Sequence, residues 1–191
     1  MAQSISPADV LFRTATRADL PAIIGLLTDD DIARSREVPD AAAASAAATS
    51  AAATSAAAAS AMGERATGPA VTAEDEDAAY WSAFEAIDAD PRNHLVVADA
   101  GGEIVGTCQL TFIPSLSRRG AERMTIEAVR IRADQRGRGL GRQLMLWALD
   151  RARERGCRLA QLTTDKRRTD AHRFYASLGF EATHEGFKLP L

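Results

Sequence analysis

An apolar run, Met124-Thr-Ile-Glu-Ala-Val-Arg-Ile131, leads through Asp134-Gln-Arg-Gly-Arg-Gly-Leu-Gly-Arg142 into a segment with apolar residues at helical spacing. The run predicts a β-strand. Leu140, Leu144, Trp147, Ala148 and Ala152 form the stripe of an amphipathic helix starting near Leu140, and Gly156 suits its C-terminal cap. Between them, Gly137, Gly139 and Gly141 let the backbone approach a ligand closely and take positive φ. The first amides of a helix are unpaired donors at the positive end of its dipole, so an anion is stabilised there. Arg136, Arg138 and Arg142 add forked cationic donors that match phosphate oxygens. The unit is suited to holding a pyrophosphate by backbone. Its Gly-x-Gly-x-Gly spacing is neither the dinucleotide fingerprint Gly-x-Gly-x-x-Gly nor a phosphate loop ending in Gly-Lys-Ser/Thr. Taken alone, such a loop is also compatible with a tight turn that binds nothing.

Strand and helix patterns alternate through the rest of the chain. Leu11–Ala15 reads as a first strand, and Thr16 with Asp19 as the cap of a helix carrying Leu20, Ile23, Ile24 and Leu27. Glu74–Ala89 reads as a helix with Tyr80, Trp81, Phe84 and Ile87 on one face, stopped by Pro91. Leu95–Ala98, the Gly101-Gly102 turn and Ile104–Ile113 form a hairpin, followed by a loop over Pro114–Gly120. Leu159–Thr163 is a strand, Asp170–Leu178 a short helix ended by Gly179, and Phe180–Leu191 the expected final hairpin. This order predicts an α+β fold, a mixed and mostly antiparallel sheet flanked by helices.

One stretch stands apart: Ala41–Ala61 holds 15 alanines in 21 residues, the other six being serine or threonine. A methyl surface gives a helix little to anchor to a core, so residues 40–75 read as a low-complexity insertion in a surface connection. The 191 residues are therefore expected to form a single domain, 1–191, with that insertion inside it.

A net charge of -3 and a pI near 5.7 give no bulk reason to expect nucleic acid or an anionic membrane as partner. Met1–Val10 lacks a signal-peptide pattern and no apolar stretch approaches a membrane span, so a cytoplasmic protein is expected. Cys108 and Cys157 form no Cys-x-x-Cys pair and read as buried thiols. His94, His172 and His184 have no ligand spacing, so no metal site is expected.

Arg136-Gly-Arg-Gly-Leu-Gly141 has the Arg/Gln-x-x-Gly-x-Gly/Ala form of the GNAT superfamily of acetyl-coenzyme A-dependent N-acetyltransferases. Val129-Arg-Ile131, with Glu127 two residues before it, resembles that family's central strand, and Ala171-His-Arg-Phe-Tyr-Ala-Ser-Leu-Gly-Phe180 its C-terminal Ala-x-x-x-Tyr-x-x-x-Gly-Phe signature. The resemblance is strongest over residues 95–188. It implies a sheet whose central strands splay apart, with the pantetheine of acetyl-coenzyme A in the gap. Backbone groups of Val129, Arg130 and Ile131 would hold that arm. Residues Arg136, Gly137, Arg138, Gly139, Leu140, Gly141 and Arg142 would hold the pyrophosphate, and the Val129 amide would polarise the thioester carbonyl. One position departs from the family pattern: where many members have an asparagine, this chain has Arg168, in a basic cluster with Lys166 and Arg167.

The implied reaction is acetyl transfer to a primary amine by direct attack; a non-catalytic coenzyme A-binding regulatory module of the same fold is the alternative. An amine with a pKa near 10.4 must lose a proton first. Glu127 is the candidate base, since a glutamate in an apolar run is costly unless solvated or paired; strand alternation puts it on one face with Thr125 and Val129. A structural pairing with Arg123 or Arg130 is the competing role. Tyr175 falls where the family often places the proton donor for the leaving thiolate, although it also suits core packing beside Phe174 and Phe180. The acceptor (small molecule, peptide or protein) carries no readable signature, except that Asp29, Asp30 and Asp31 could attract a cation. A homodimer is compatible with the resemblance.

Overall fold

The computed structural model describes residues 9–29 and 73–189. Five strands form one sheet in chain order: β1 (Leu11–Thr14), β2 (Asn93–Ala100), β3 (Glu103–Ile113), β4 (Arg123–Ile131) and β5 (Leu159–Leu162). The first three neighbouring pairs are antiparallel, and β4–β5 is parallel. Among the described residues the helices longer than one turn are α1 (Leu20–Thr28), α2 (Ala73–Ala89), α3 (Leu140–Glu154) and α4 (Thr169–Ser177). The sheet is therefore mixed and mostly antiparallel, as its hairpin and crossover patterns predict. Its one parallel pair is joined through α3, the crossover that parallel strands require.

Alternation along the strands sends side chains to two cores. On one face, Leu95, Val97 and Ile104 pack with Leu20, Ile23 and Leu26 of α1 and Phe84 of α2, and Tyr80, Trp81 and Ile87 flank them. On the other, Val96, Cys108, Leu110, Phe112, Met124 and Ile126 pack against Leu144, Met145, Ala148 and Ala152 of α3. Phe174 and Tyr175 of α4 sit at the edge of this second core. Cys108 is fully buried, which pushes its thiol up to about 12, whereas Cys157 is only half-buried.

The expected final hairpin is not formed. Residues 180–189 run without regular structure and are largely exposed. Among them, Phe187 and Leu189 are 93% and 82% exposed, so no apolar face pins a strand to the sheet edge. Residues 30–72, with most of the expected insertion, lie outside the described residues, as do residues 1–8 and 190–191.

A charged knot ties β1 to β2 and to the start of α1. Arg13 donates to both oxygens of Asp19 at 2.7 and 2.9 Å and to Asp99 at 2.9 Å. Asp19, 7% exposed, also accepts from the Thr16 amide at 2.7 Å and its hydroxyl at 2.8 Å. The guanidinium of Arg13, outweighing the cost of burial, holds the Asp19 carboxyl down at about 2. A depressed carboxyl stabilises the fold above its unfolded value near 3.9 and loses that contribution as pH falls toward 2. Asp19→Asn is expected to cost about 2 kcal/mol at pH 7. In urea titrations, the gap between wild type and variant should close between pH 4 and pH 2.

Candidate active site

β4 parts from β5 halfway along its length. Their pairing runs from Arg123↔Leu159 to Ile126↔Leu162 and stops, while β4 continues to Ile131. Just beyond the last pair lies a β-bulge. Gln109 of β3 faces Glu127 and Thr107 faces Arg130, so β4 carries one residue more than β3 over this stretch. Ala128 takes φ 52°, left-handed backbone that non-glycine residues seldom adopt. The Val129 carbonyl accepts from the Arg130 guanidinium at 2.9 Å. The result is an open split in the sheet, lined by Glu127–Ile131 on one side and Thr163–Asp165 on the other.

The bulge corrects the expected alternation. Met124 and Ile126 belong to the α3-side core, and Val129 packs on that same core. The extra residue reverses the phase of the strand, so Val129 and Glu127 do not share a face. Thr125, whose hydroxyl accepts from Gln161 at 3.1 Å, remains on the Glu127 side. Glu127 is exposed and, among the described residues, has no ion pair with Arg123 or Arg130. Solvation is what makes a glutamate tolerable in this apolar strand.

The glycine loop closes the C-terminal end of the split. Gly137 and Gly139 have φ of 74° and 86°, and a Cβ at either would meet nothing within 4 Å. Conformation, and not crowding, selects glycine there, and the empty space over the loop admits a ligand to the backbone. Gly139 immediately precedes α3, and its carbonyl receives the Gln143 amide at 3.1 Å. The amides of Leu140, Gly141 and Arg142 therefore form the first turn, with no earlier helical carbonyl to bond. Leu140 is buried and anchors the helix start, while Gly141 lies 3.6 Å from Ile131 and from Phe174 by its Cβ direction.

The arginines of this region are not equivalent. Arg136 donates through Nε to the Ile131 carbonyl at 2.9 Å and ion-pairs with Asp29 at 3.2 Å. Asp29 is thereby committed to the loop; Asp30 and Asp31 lie outside the described residues. Arg142 reaches the Ser177 carbonyl at 3.4 Å, and Arg138 is exposed. In the basic cluster, Lys166 and Arg167 are exposed and pair with Glu185 at 3.6 Å and Asp165 at 2.9 Å. Arg168 differs from both, being half-buried and close enough to Tyr175 to act on its charge. The position that departs from the family pattern thus faces the site, which its charge alone did not reveal.

Tyr175 lies on the α3 side of the sheet, its ring 5.2 Å from Phe174 and 6.1 Å from Phe180. Burial raises its phenol above the ordinary value, with Arg130 and Arg168 opposing the shift. The hydroxyl consequently keeps its proton at neutral pH. His172 contacts the Asp165 carbonyl at 3.1 Å through Nε2. No cluster of metal-binding residues occurs among the described residues, and no helix among them is long and apolar enough to cross a membrane.

Residues 61–180 match the model of the acetyltransferase (GNAT) family, and the chain belongs to that family. It is 35% identical over 109 residues to an aminoalkylphosphonate N-acetyltransferase of Salmonella typhimurium, covering 57% of this chain and 70% of that protein. It is 33% identical over 96 residues to the streptothricin acetyltransferase of Streptomyces lavendulae, where the match covers 50% of this chain and 48% of the relative. A crystal structure of a transcriptional regulator from Bacillus halodurans C-125 superposes with a TM-score of 0.72 at 40% identity, covering 95% of this chain and 99% of that one.

The strained bulge yields a test of its own. Left-handed alanine costs about 1–2 kcal/mol, against roughly 0.4–1 kcal/mol for the added freedom of glycine in the unfolded chain. Ala128→Gly is expected to raise stability by about 0.5 kcal/mol in chemical denaturation, opposite to the usual effect of glycine within a strand.

Proposed function

We propose that the protein transfers the acetyl group of acetyl-coenzyme A to the primary amine of a small molecule. The observation that carries this reading is the split between β4 and β5, with Glu127 on one face of the sheet, Tyr175 on the other and the glycine loop at its end. A thioester threaded through the opening can meet a base on one side and an acid on the other. Acetyl-coenzyme A, when bound, supplies an acyl group already activated for attack. The open cradle over Gly137 and Gly139 fits its pyrophosphate.

Each residue then has one task. The amides of Leu140, Gly141 and Arg142, with Gly137, Arg138 and Gly139, bind the pyrophosphate; Arg136 joins them by exchanging Asp29 for phosphate oxygen. Backbone groups of Val129, Arg130 and Ile131, on the edge that β5 leaves open, hold the pantetheine. The Val129 amide donates to the carbonyl oxygen, a contact that such donors make worth several kcal/mol as negative charge grows on it. Glu127, directly or through a water, takes the proton the ammonium must lose. The carbon–nitrogen bond forms as the carbon–sulfur bond breaks, the nitrogen sheds its second proton to water, and the Tyr175 phenol gives its proton to the departing sulfur and regains one from solvent. The enzyme therefore needs no nucleophile of its own. The names of the two curated relatives support a small-molecule amine as the acceptor class.

Calorimetric titration of acetyl-coenzyme A tests the binding half. Wild type is expected to bind, and Gly139→Glu, which puts a side chain and a negative charge at φ 86°, to lose binding. Thiol release over a panel of primary amines tests the chemistry. Glu127→Gln should lower kcat by about 100-fold or more while acetyl-coenzyme A affinity stays within about threefold. Binding without turnover on any amine would favour the regulatory-module alternative, and no binding would overturn the assignment. Tyr175→Phe should lower kcat less than Glu127→Gln and retain the cofactor, separating the proton donor from a packing role.

A further inference from the structure

Resting on the transferase reading, we infer that the acceptor carries an oxyanion as well as an amine, and that Arg123 anchors the oxyanion. Arg123, Thr125 and Glu127 alternate onto one face of β4. Arg123 is half-buried and lines the same cleft as Glu127, and its Nε is shut off from solvent with no hydrogen-bond acceptor. A buried donor left unsatisfied is unfavourable, so an acceptor brought to it stabilises the complex. By contrast, the guanidiniums of Arg13, Arg132 and Arg155 each meet one or two carboxylates of the protein. The nearest acidic neighbour in sequence, Glu122, is already taken by Arg155 at 2.8 Å. Among the described residues, then, Arg123 is a cation in the acceptor cleft that no internal anion claims.

The surroundings complete the picture. Between Arg123 and Glu127 the face carries neutral hydrogen-bonding groups: Thr125 with Gln161, and Gln109 and Thr111, both bonded to Asn93. Arg118, in the left-handed turn Ser117–Gly120 before β4, lines the same end and adds positive charge. The cleft is thus anionic at Glu127, neutral in the middle and cationic at Arg123. Four residue steps along the strand separate the two ends, about 13 Å between Cα atoms, and both side chains are long enough to lean inward. A short ligand with an ammonium at one end and a phosphonate, phosphate or carboxylate at the other matches this order of charge. A guanidinium grips any of these oxyanions through two parallel N–H bonds.

Matched pairs of primary amines, equal in chain length and ending in phosphonate or carboxylate against hydroxyl, test the assignment by thiol release. In wild type the anionic member should have roughly tenfold or higher kcat/KM, carried mainly by KM. In Arg123→Gln that ratio should fall toward one, and Arg123→Lys should recover part of it. Absence of the preference in wild type, or its survival in Arg123→Gln, would overturn the anchor. A calorimetric arm separates this from failure of the transferase reading. Methylphosphonate titrated into coenzyme A-saturated protein should bind wild type and not Arg123→Gln, whether or not any amine turns over. No binding to wild type, or loss of coenzyme A affinity in both Arg123 variants, would make the residue structural and sink the proposal.

Discussion

A parallel strand pair that ends after four rungs is the constraint from which the site follows. Once β5 stops at Leu162, five residues of β4 have an unpaired edge, and an unpaired edge in a sheet centre exposes donors and acceptors that must find partners. The bulge at Ala128 makes this tolerable by turning the strand out of register at the point where its neighbour is lost. It also moves Val129 onto the α3-side core, so the backbone beyond Glu127 is packed on one side and open on the other. Strand geometry, more than any one side chain, creates the opening.

The opening would be useless if the two sheet halves drifted. The four rungs between β4 and β5, with Ala160 and Leu162 packed on the α3-side core, prevent this, and β3 steadies β4 by its long pairing and by Gly106, whose absent side chain lets Ile131 sit where a Cβ would be 2.8 Å from its Cδ1. The Arg13–Asp19–Asp99 knot fixes the other end, joining β1, β2 and the entry to α1. α1 in turn carries Leu27 and Asp29 to the cleft and the loop. The rigid parts thus surround a site made largely of backbone, the type of group least able to adapt to a misplaced ligand.

Much of this was legible in residue patterns. The Leu140–Ala152 stripe, the Tyr80–Ile87 face and the Gly101-Gly102 turn each have a local cause, and the structure contains the elements they predict. The glycine loop was legible because φ values of 74° and 86° restrict residue choice at the positions themselves. The bulge was not, because alanine at position 128 carries no mark of a left-handed conformation imposed by β3. Pairings across the chain were equally hidden: Asp29 reads as a local acidic run, yet its partner is 107 residues away. The C-terminal segment failed for a different reason. Its spacing allows a hairpin, but a strand forms only where another strand or a core receives it.

The Asp29–Arg136 pair gives the glycine loop a resident counter-ion. Three guanidiniums within seven residues would otherwise repel one another, and half-exposed Asp29 offsets part of that charge. Because exposed ion pairs are worth only about 0–1 kcal/mol, displacing the carboxylate by a ligand's phosphate, as proposed, would cost little. One of the three guanidinium charges is thus offset before a ligand arrives. Ionic strength should consequently weigh less on its affinity than the number of arginines suggests, since part of the positive field is already quenched within the fold.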